Sequence, residues 1–227
     1  MTQNFLKQSL YNSRISESET IDASRIRNHL RITGCNIPIL HFPEVDSTNL
    51  EVPRQLDMGR SPPFAILASK QQSGRGRLGR RWHSPEEGNC YLSFAFTPDA
   101  APDKLQKLTC WIGLEICRLL RDECKIPVHM KWPNDLKVGH RKIGGMLCES
   151  RTEGGKLLYL VFGVGINVNC RCSQWPPPIK EIATSLAEEA GKQLALNHFI
   201  AMLVIRVIQA WQQFGTGELS ETDPLCL

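Results

Sequence analysis

Four strand-like segments follow one another between residues 128 and 168, with connections too short to hold a crossover: Val128–Trp132, Leu136–Val138, Lys142–Glu149 and Leu157–Val168. A parallel pair of strands needs a connection of about a dozen residues or more. This part of the chain is therefore committed to an antiparallel or mixed sheet, with Pro133-Asn134-Asp135 as one turn and Glu153-Gly154-Gly155 as a hairpin turn. Three further strands are expected upstream, at Ile37–Phe42, Phe64–Ser69 and Asn89–Thr97. The last alternates Cys90, Leu92, Phe94 and Phe96 against Tyr91, Ser93, Ala95 and Thr97, the signature of a sheet with two distinct faces.

Helices complete the pattern. From Pro102 to about Glu123 the residues Leu105, Leu108, Ile112, Ile116, Leu119 and Leu120 recur at helical spacing, and two more helices are expected at Ile179–Ala190, closed by Gly191, and Leu196–Phe214, closed by Gly215. Asp46-Ser47-Thr48-Asn49 carries helix-capping chemistry, and Thr48 with Glu51 fits a capping box, although Pro53 would interrupt a helix begun at Ser47. The expected fold class is α+β, a mixed β-sheet covered by helices.

With 227 residues, 41% of them hydrophobic and 22% charged, the chain supports one substantial core. One main domain is expected over residues 37–215, preceded by a polar, loosely attached leader over 1–36 with a short helix near Ala23–Leu30, and followed by a short polar tail over 216–227. The net charge is +4, and much of the excess lies at Arg75–Arg81, which suits a local pocket better than a nucleic-acid face. Nine cysteines without a secretory segment, and no apolar run near the ~20 residues that span a bilayer, point to a reducing cytoplasm and no membrane. Cys170 and Cys172 are the only close pair, so no structural metal is expected.

Three motifs carry chemistry. Gln71-Gln72-Ser73-Gly74-Arg75-Gly76-Arg77-Leu78-Gly79-Arg80-Arg81-Trp82 combines backbone freedom with rigid guanidinium donors between two apolar strands, which suits carboxylate or phosphate. Lys131-Trp132-Pro133-Asn134-Asp135 is followed by Lys142-Ile143-Gly144-Gly145, so a tight hairpin returns Lys142 beside Asp135. That pair is either a fixed cation for a ligand anion, oriented by Asp135, or an ordinary cross-strand ion pair. Gly163-Val164-Gly165-Ile166-Asn167 places glycines inside an apolar strand, where either a ligand or a β-bulge accounts for them.

In this order the four elements, from Asp46-Ser47-Thr48-Asn49 to Gly163–Asn167, resemble the catalytic domain of the biotin protein ligases over about residues 37 to 215. The resemblance implies the biotin/lipoate protein ligase fold, related to class II aminoacyl-tRNA synthetases. It also implies a two-step reaction: biotin and MgATP give biotinyl-5′-adenylate, and a lysine of a biotin carboxyl carrier protein domain then takes the biotin. By the same resemblance Ser47, Thr48, Asn49 and Gln71 hold the biotin ring, while Arg75, Gly76 and Arg77 wrap its carboxylate and the phosphate. Lys142, with Arg75 and Arg77, stabilises developing charge, and Gly145, Gly163 and Gly165 line the pocket. Arg77, Arg80, Trp82, Asp135 and Asn167 serve ATP, with Trp82 near the adenine and Asn167 by the phosphates or their Mg²⁺. Many relatives add an N-terminal DNA-binding unit and a C-terminal β-barrel; the expectation here is a catalytic domain without either, hence no DNA partner, and a homodimer paired through sheet edges. Lipoate ligation, a biotin-binding module without turnover and nucleic-acid binding are the rival readings.

Overall fold

The structure is a computed structural model and describes residues 20–84, 87–97, 105–154, 156–171, 173 and 175–216. Residues 1–19 of the expected leader, the expected tail from 217 onward, the helix start at Pro102, and Gly155 and Cys172 lie outside the described residues.

Seven strands form one mixed sheet. In chain order they are β1 (Ile39–Val45), β2 (Phe64–Gln71), β3 (Cys90–Phe96), β4 (His129–Lys131), β5 (Asp135–Val138), β6 (Arg141–Glu153) and β7 (Lys156–Ile166), and in space they run β1-β2-β3-β7-β6-β5-β4. Only β1 and β2 pair in parallel, and the helix α2 (Thr48–Asp57) supplies the crossover that such a pair requires. All other neighbours are antiparallel. The expected strands are thus present; β6 and β7 form a long hairpin that turns at Gly154, whose φ of 55° suits glycine.

The two faces of the sheet have different tasks. Leu92, Phe94 and Phe96 of β3 and Leu160, Phe162, Val164 and Ile166 of β7 point into the main core, beneath α1 (Ala23–Ile32), α3 (Leu105–Cys124) and α6 (Leu196–Thr216). On the opposite face α2 covers only part of the sheet, where Val52 packs on Phe64, Ile66, Ala95 and Val161. Beyond α2 that face is open, and it is there that Gly145 of β6 and Gly163 and Gly165 of β7 lie.

Several expectations are corrected. Helix α1 is not part of a loose leader: Ile26 and Leu30, one turn apart, are fully buried, and Asn197 of α6 accepts from the Asp22 amide at 2.7 Å and donates to the Thr20 carbonyl at 3.0 Å. Asp22 caps this helix by accepting from the amides of Ser24 and Arg25. Ser47, not Thr48, is the N-cap of α2, and Glu51 bonds Gln55 and Arg54, so the capping box does not form. Pro53 lies inside α2, which continues without the bond its missing N–H would have given to the Asn49 carbonyl. The helix expected at Ile179–Ala190 is two short turns, α4 (Pro177–Lys180) and α5 (Leu186–Ala190). Between them the chain extends and pairs with Lys142, with Ile182 accepting from the Lys142 amide at 2.7 Å and Thr184 donating to its carbonyl at 2.9 Å. Helix α6 runs past Gly215 to Thr216. No described helix is long and apolar enough to cross a membrane.

Candidate active site

A cavity of about 330 Å³ occupies the open face. Beneath it run two adjacent rows of register partners. Leu147, Gly163 and Ser93 form one row across β6, β7 and β3; Asp135, Gly145, Gly165 and Tyr91 form the next across β5, β6, β7 and β3. The rows are two residues apart along β7, or about 7 Å.

The first row carries a neutral polar cluster. Gln71, at the end of β2, accepts through Oε1 from the Thr48 amide at 2.9 Å and its hydroxyl at 3.1 Å, and donates through Nε2 to Ser84 Oγ at 3.2 Å. Ser93 Oγ stands 2.6 Å from Asn49 Oδ1 and 2.8 Å from Thr48 Oγ1. Asn49 Nδ2 donates to Glu149 Oε2 at 2.8 Å; a carboxylate only accepts, so this contact fixes which way the amide faces. Asn49 can lie there because Gly163 is bare, since a Cβ at 163 would collide with Asn49 Oδ1. Ser47, Thr48, Asn49, Gln71 and Ser93 are all buried, so the groups of this cluster need partners from the protein or from a ligand.

The second row carries charge. Lys142 Nζ lies 2.6 Å from Asp135 Oδ1 and 5.2 Å from the centre of the Trp82 ring. The indole rests on bare backbone: a Cβ on Gly165 would come within 2.7 Å of Trp82 Nε1, and one on Gly145 within 3.2 Å of Lys142 Nζ. Trp82 Nε1 is buried and makes no hydrogen bond. The wall contributes six cationic side chains, Arg75, Arg77, Arg80, Arg81, Lys131 and Lys142, against one carboxylate, Asp135, so this end of the cavity is set for an anion.

The arginine–glycine segment folds back as a hairpin over this row. The Gly76 amide donates to the Arg80 carbonyl at 2.7 Å and the Trp82 amide to the Gly74 carbonyl at 2.8 Å, while Arg75 and Arg81 form a bridge. At the tip Leu78 and Gly79 take φ of 58° and 73°. Gly74 is required at the base, where a Cβ would come within 2.6 Å of the Trp82 carbonyl oxygen. Arg77 reaches Asn134 Oδ1 at 3.3 Å, and Arg75 reaches Glu149 Oε1 at 3.0 Å.

Fourteen of the residues singled out from sequence line this cavity: Ser47, Thr48, Asn49, Gln71, Arg75, Gly76, Arg77, Arg80, Trp82, Asp135, Lys142, Gly145, Gly163 and Gly165. Asn167 does not. It is buried, and its Nδ2 donates to the Thr184 carbonyl at 2.9 Å, holding the segment that pairs with Lys142. The sequence reading misses Ser93 and Glu149. Strand alternation could have found both, because Ser93 shares a face with Tyr91 and Ala95, and Glu149 shares one with Gly145 and Leu147. Among the described residues no three His, Cys, Asp or Glu side chains gather to hold a metal, and Asp135 is committed to Lys142.

Residues 46–167 match the biotin/lipoate A/B protein ligase family. The bifunctional ligase/repressor BirA of Bacillus subtilis is 31% identical over 156 residues, 68% of this chain and 48% of that protein. The protein of the same name from Salmonella typhimurium is 33% identical over 202 residues, 89% of this chain and 61% of that protein. The chain thus spans about half the length of these relatives. Among solved structures, biotin protein ligase from Aquifex aeolicus in complex with biotin and ATP superposes with a TM-score of 0.68 at 34% identity, covering 79% of this chain and 72% of that one.

Proposed function

The chain belongs to the biotin/lipoate A/B protein ligase family, and from that premise we propose that it is an ATP-dependent biotin protein ligase. It joins biotin to AMP and passes the biotin to a lysine of a biotin carboxyl carrier protein domain. The observation that carries this reading is the division of one cavity into a neutral hydrogen-bonding row at Gly163 and a cationic row at Gly165. Biotin has the matching division, with a ureido ring at one end and a carboxylate at the other. Lipoate has the carboxylate but no hydrogen-bonding ring, so it gains nothing from the polar row of Thr48, Asn49, Gln71 and Ser93, whose groups it would cover while they pair only with one another and with neighbouring side chains. The solved Aquifex relative holds biotin and ATP.

In this reading a biotin carboxylate oxygen attacks the α-phosphorus of ATP, forming the mixed anhydride and expelling pyrophosphate. The acceptor amine then attacks the acyl carbon, an amide forms and AMP leaves. The first step brings two anions together and the second develops negative charge on the acyl oxygen and the departing AMP, so the protein's share is positioning and charge neutralisation in a site closed from water. Lys142, Arg75 and Arg77 supply the positive charge, and Asp135 aims Lys142. Arg80 and Trp82 meet the nucleotide as the hairpin closes. Mg²⁺ enters on the triphosphate, whose oxygens are its principal ligands. The partner is a carrier domain in the cytoplasm.

The test combines the chain with MgATP, biotin and a carrier domain, following pyrophosphate release and biotin on the acceptor lysine. Biotin-dependent release with transfer is expected. Biotin binding with neither product would make the protein a binding module, and activity with lipoate alone would overturn the assignment.

A further inference from the structure

We infer that Glu149 is a positioning residue that occupies Arg75 while the cavity is empty, standing in for the ligand's anion, and that it links the two ends of the site. The inference rests on the ligase reading for the identity of the ligand, but not for the contact itself.

Glu149 is the carboxylate that faces Arg75, and its two oxygens serve different partners. Oε1 pairs with Arg75 Nη2 at 3.0 Å, and Oε2 accepts from Asn49 Nδ2 at 2.8 Å. Arg75 belongs to the cationic hairpin and Asn49 to the neutral row, so one side chain touches both halves of the site. Its place on β6 is fixed by pairing with Val161 of β7, well inside the β6–β7 hairpin. Arg75, by contrast, sits on a hairpin closed by few backbone bonds.

Two consequences follow from the charges. First, an arriving carboxylate does not meet a bare guanidinium; it must exchange with Glu149, so the gain in Coulomb energy is only the difference between two similar pairs. The hairpin is thereby held over the empty cavity, and preference for an anionic ligand is moderated. Second, once Arg75 turns to the ligand, the charge of Glu149 is left to Asn49 alone, strengthening that bond and the amide's orientation toward Ser93. Occupancy of the anion end thus reinforces the ring end.

Glu149→Gln separates this role from simple packing, because glutamine still accepts from Asn49 but does not attract Arg75. In the ligand-free protein trypsin should cut the hairpin at Arg75–Arg81 about two- to fivefold faster than in wild type, the range a partly exposed ion pair supports. Calorimetry should show the ratio of biotin to uncharged biotinamide affinity rising by about the same factor. Glu149→Asp, which keeps the charge but withdraws it, should move cleavage in the same direction if the glutamine variant does not fold. Unchanged cleavage, or equal weakening of both ligands, overturns the inference. A wild-type protein that binds neither ligand sinks the ligase reading, while the cleavage rates still decide whether Glu149 holds Arg75.

Discussion

Asn49 lies directly on the bare backbone of Gly163, its Oδ1 filling the space that a Cβ would need. The neutral end of the cavity therefore depends on an absent methyl group on a central strand. Gly163→Ala should displace Asn49 from both Ser93 and Glu149 and raise the biotin dissociation constant at least tenfold, about 1.4 kcal/mol. The melting temperature should fall as well, since overpacking a buried, hydrogen-bonded side chain costs about 1–3 kcal/mol. Titration calorimetry beside a melting curve checks this, and unaltered biotin affinity would mean that Asn49 has no part in binding.

Lys142 is held from two directions, by Asp135 at its amine and by Ile182 and Thr184 at its backbone. Lys142→Ala should raise the biotin dissociation constant well over tenfold and slow adenylate formation further. Asp135→Asn, which frees the lysine without removing it, should cost less on both counts. Single-turnover assays with labelled ATP separate the two, and equal effects would show that Asp135 does more than aim the lysine.

Helix α1 should be indispensable to folding. Ile26 is fully buried against the main core, so Ile26→Ala should cost about 2–5 kcal/mol by lost burial and the cavity left behind. Urea denaturation measures this directly. A loss below about 1 kcal/mol would restore the view of this segment as a loose leader.

Asp46 sits at the entry to α2, where a bidentate bond from Arg54, at 2.9 and 2.6 Å, pulls its carboxyl below the ordinary 3.8. Its folded value lies beneath its unfolded one, so its contribution is complete above the unfolded value and disappears as pH falls through the folded value. Asp46→Asn should be less stable than wild type at neutral pH, and the gap should close on acidification below about pH 4. Denaturation midpoints across that range give the answer; a constant gap would mean that the ion pair contributes nothing.

Much of the sheet was legible because its signals are local: alternation in Cys90–Thr97, short turns after Lys131 and Glu153, and glycines at Gly163 and Gly165, for which a ligand and a β-bulge are equal accounts. The paired Lys142 and Asp135 also followed from hairpin geometry. What escaped depends on partners distant in sequence. Ile26 and Leu30 gave too short an apolar stripe to stand out in a polar stretch, and packing against α6 and β1 makes them core. The helix expected over Ile179–Ala190 had acceptable propensity, but pairing of residues 182–184 with Lys142 overrode it. Asn167 belonged to a recognisable motif, yet its side chain is spent on Thr184. Glu149 looked like any carboxylate on a strand until the register put it between Arg75 and Asn49.

The two ends of the cavity also differ in how they are anchored. Ser93 lies on β3, where every residue is buried between two strands, and such amides exchange with solvent only when the whole domain opens. The residues of the hairpin from Arg75 to Arg81 are mostly exposed and closed by few backbone bonds, and such a segment opens by local fluctuation. On the proposed reading, ring selectivity is therefore written into the slowest-exchanging part of the protein and closure into one of the fastest, so mild heat or denaturant should loosen the grip on the anion long before the protein loses its choice of ring.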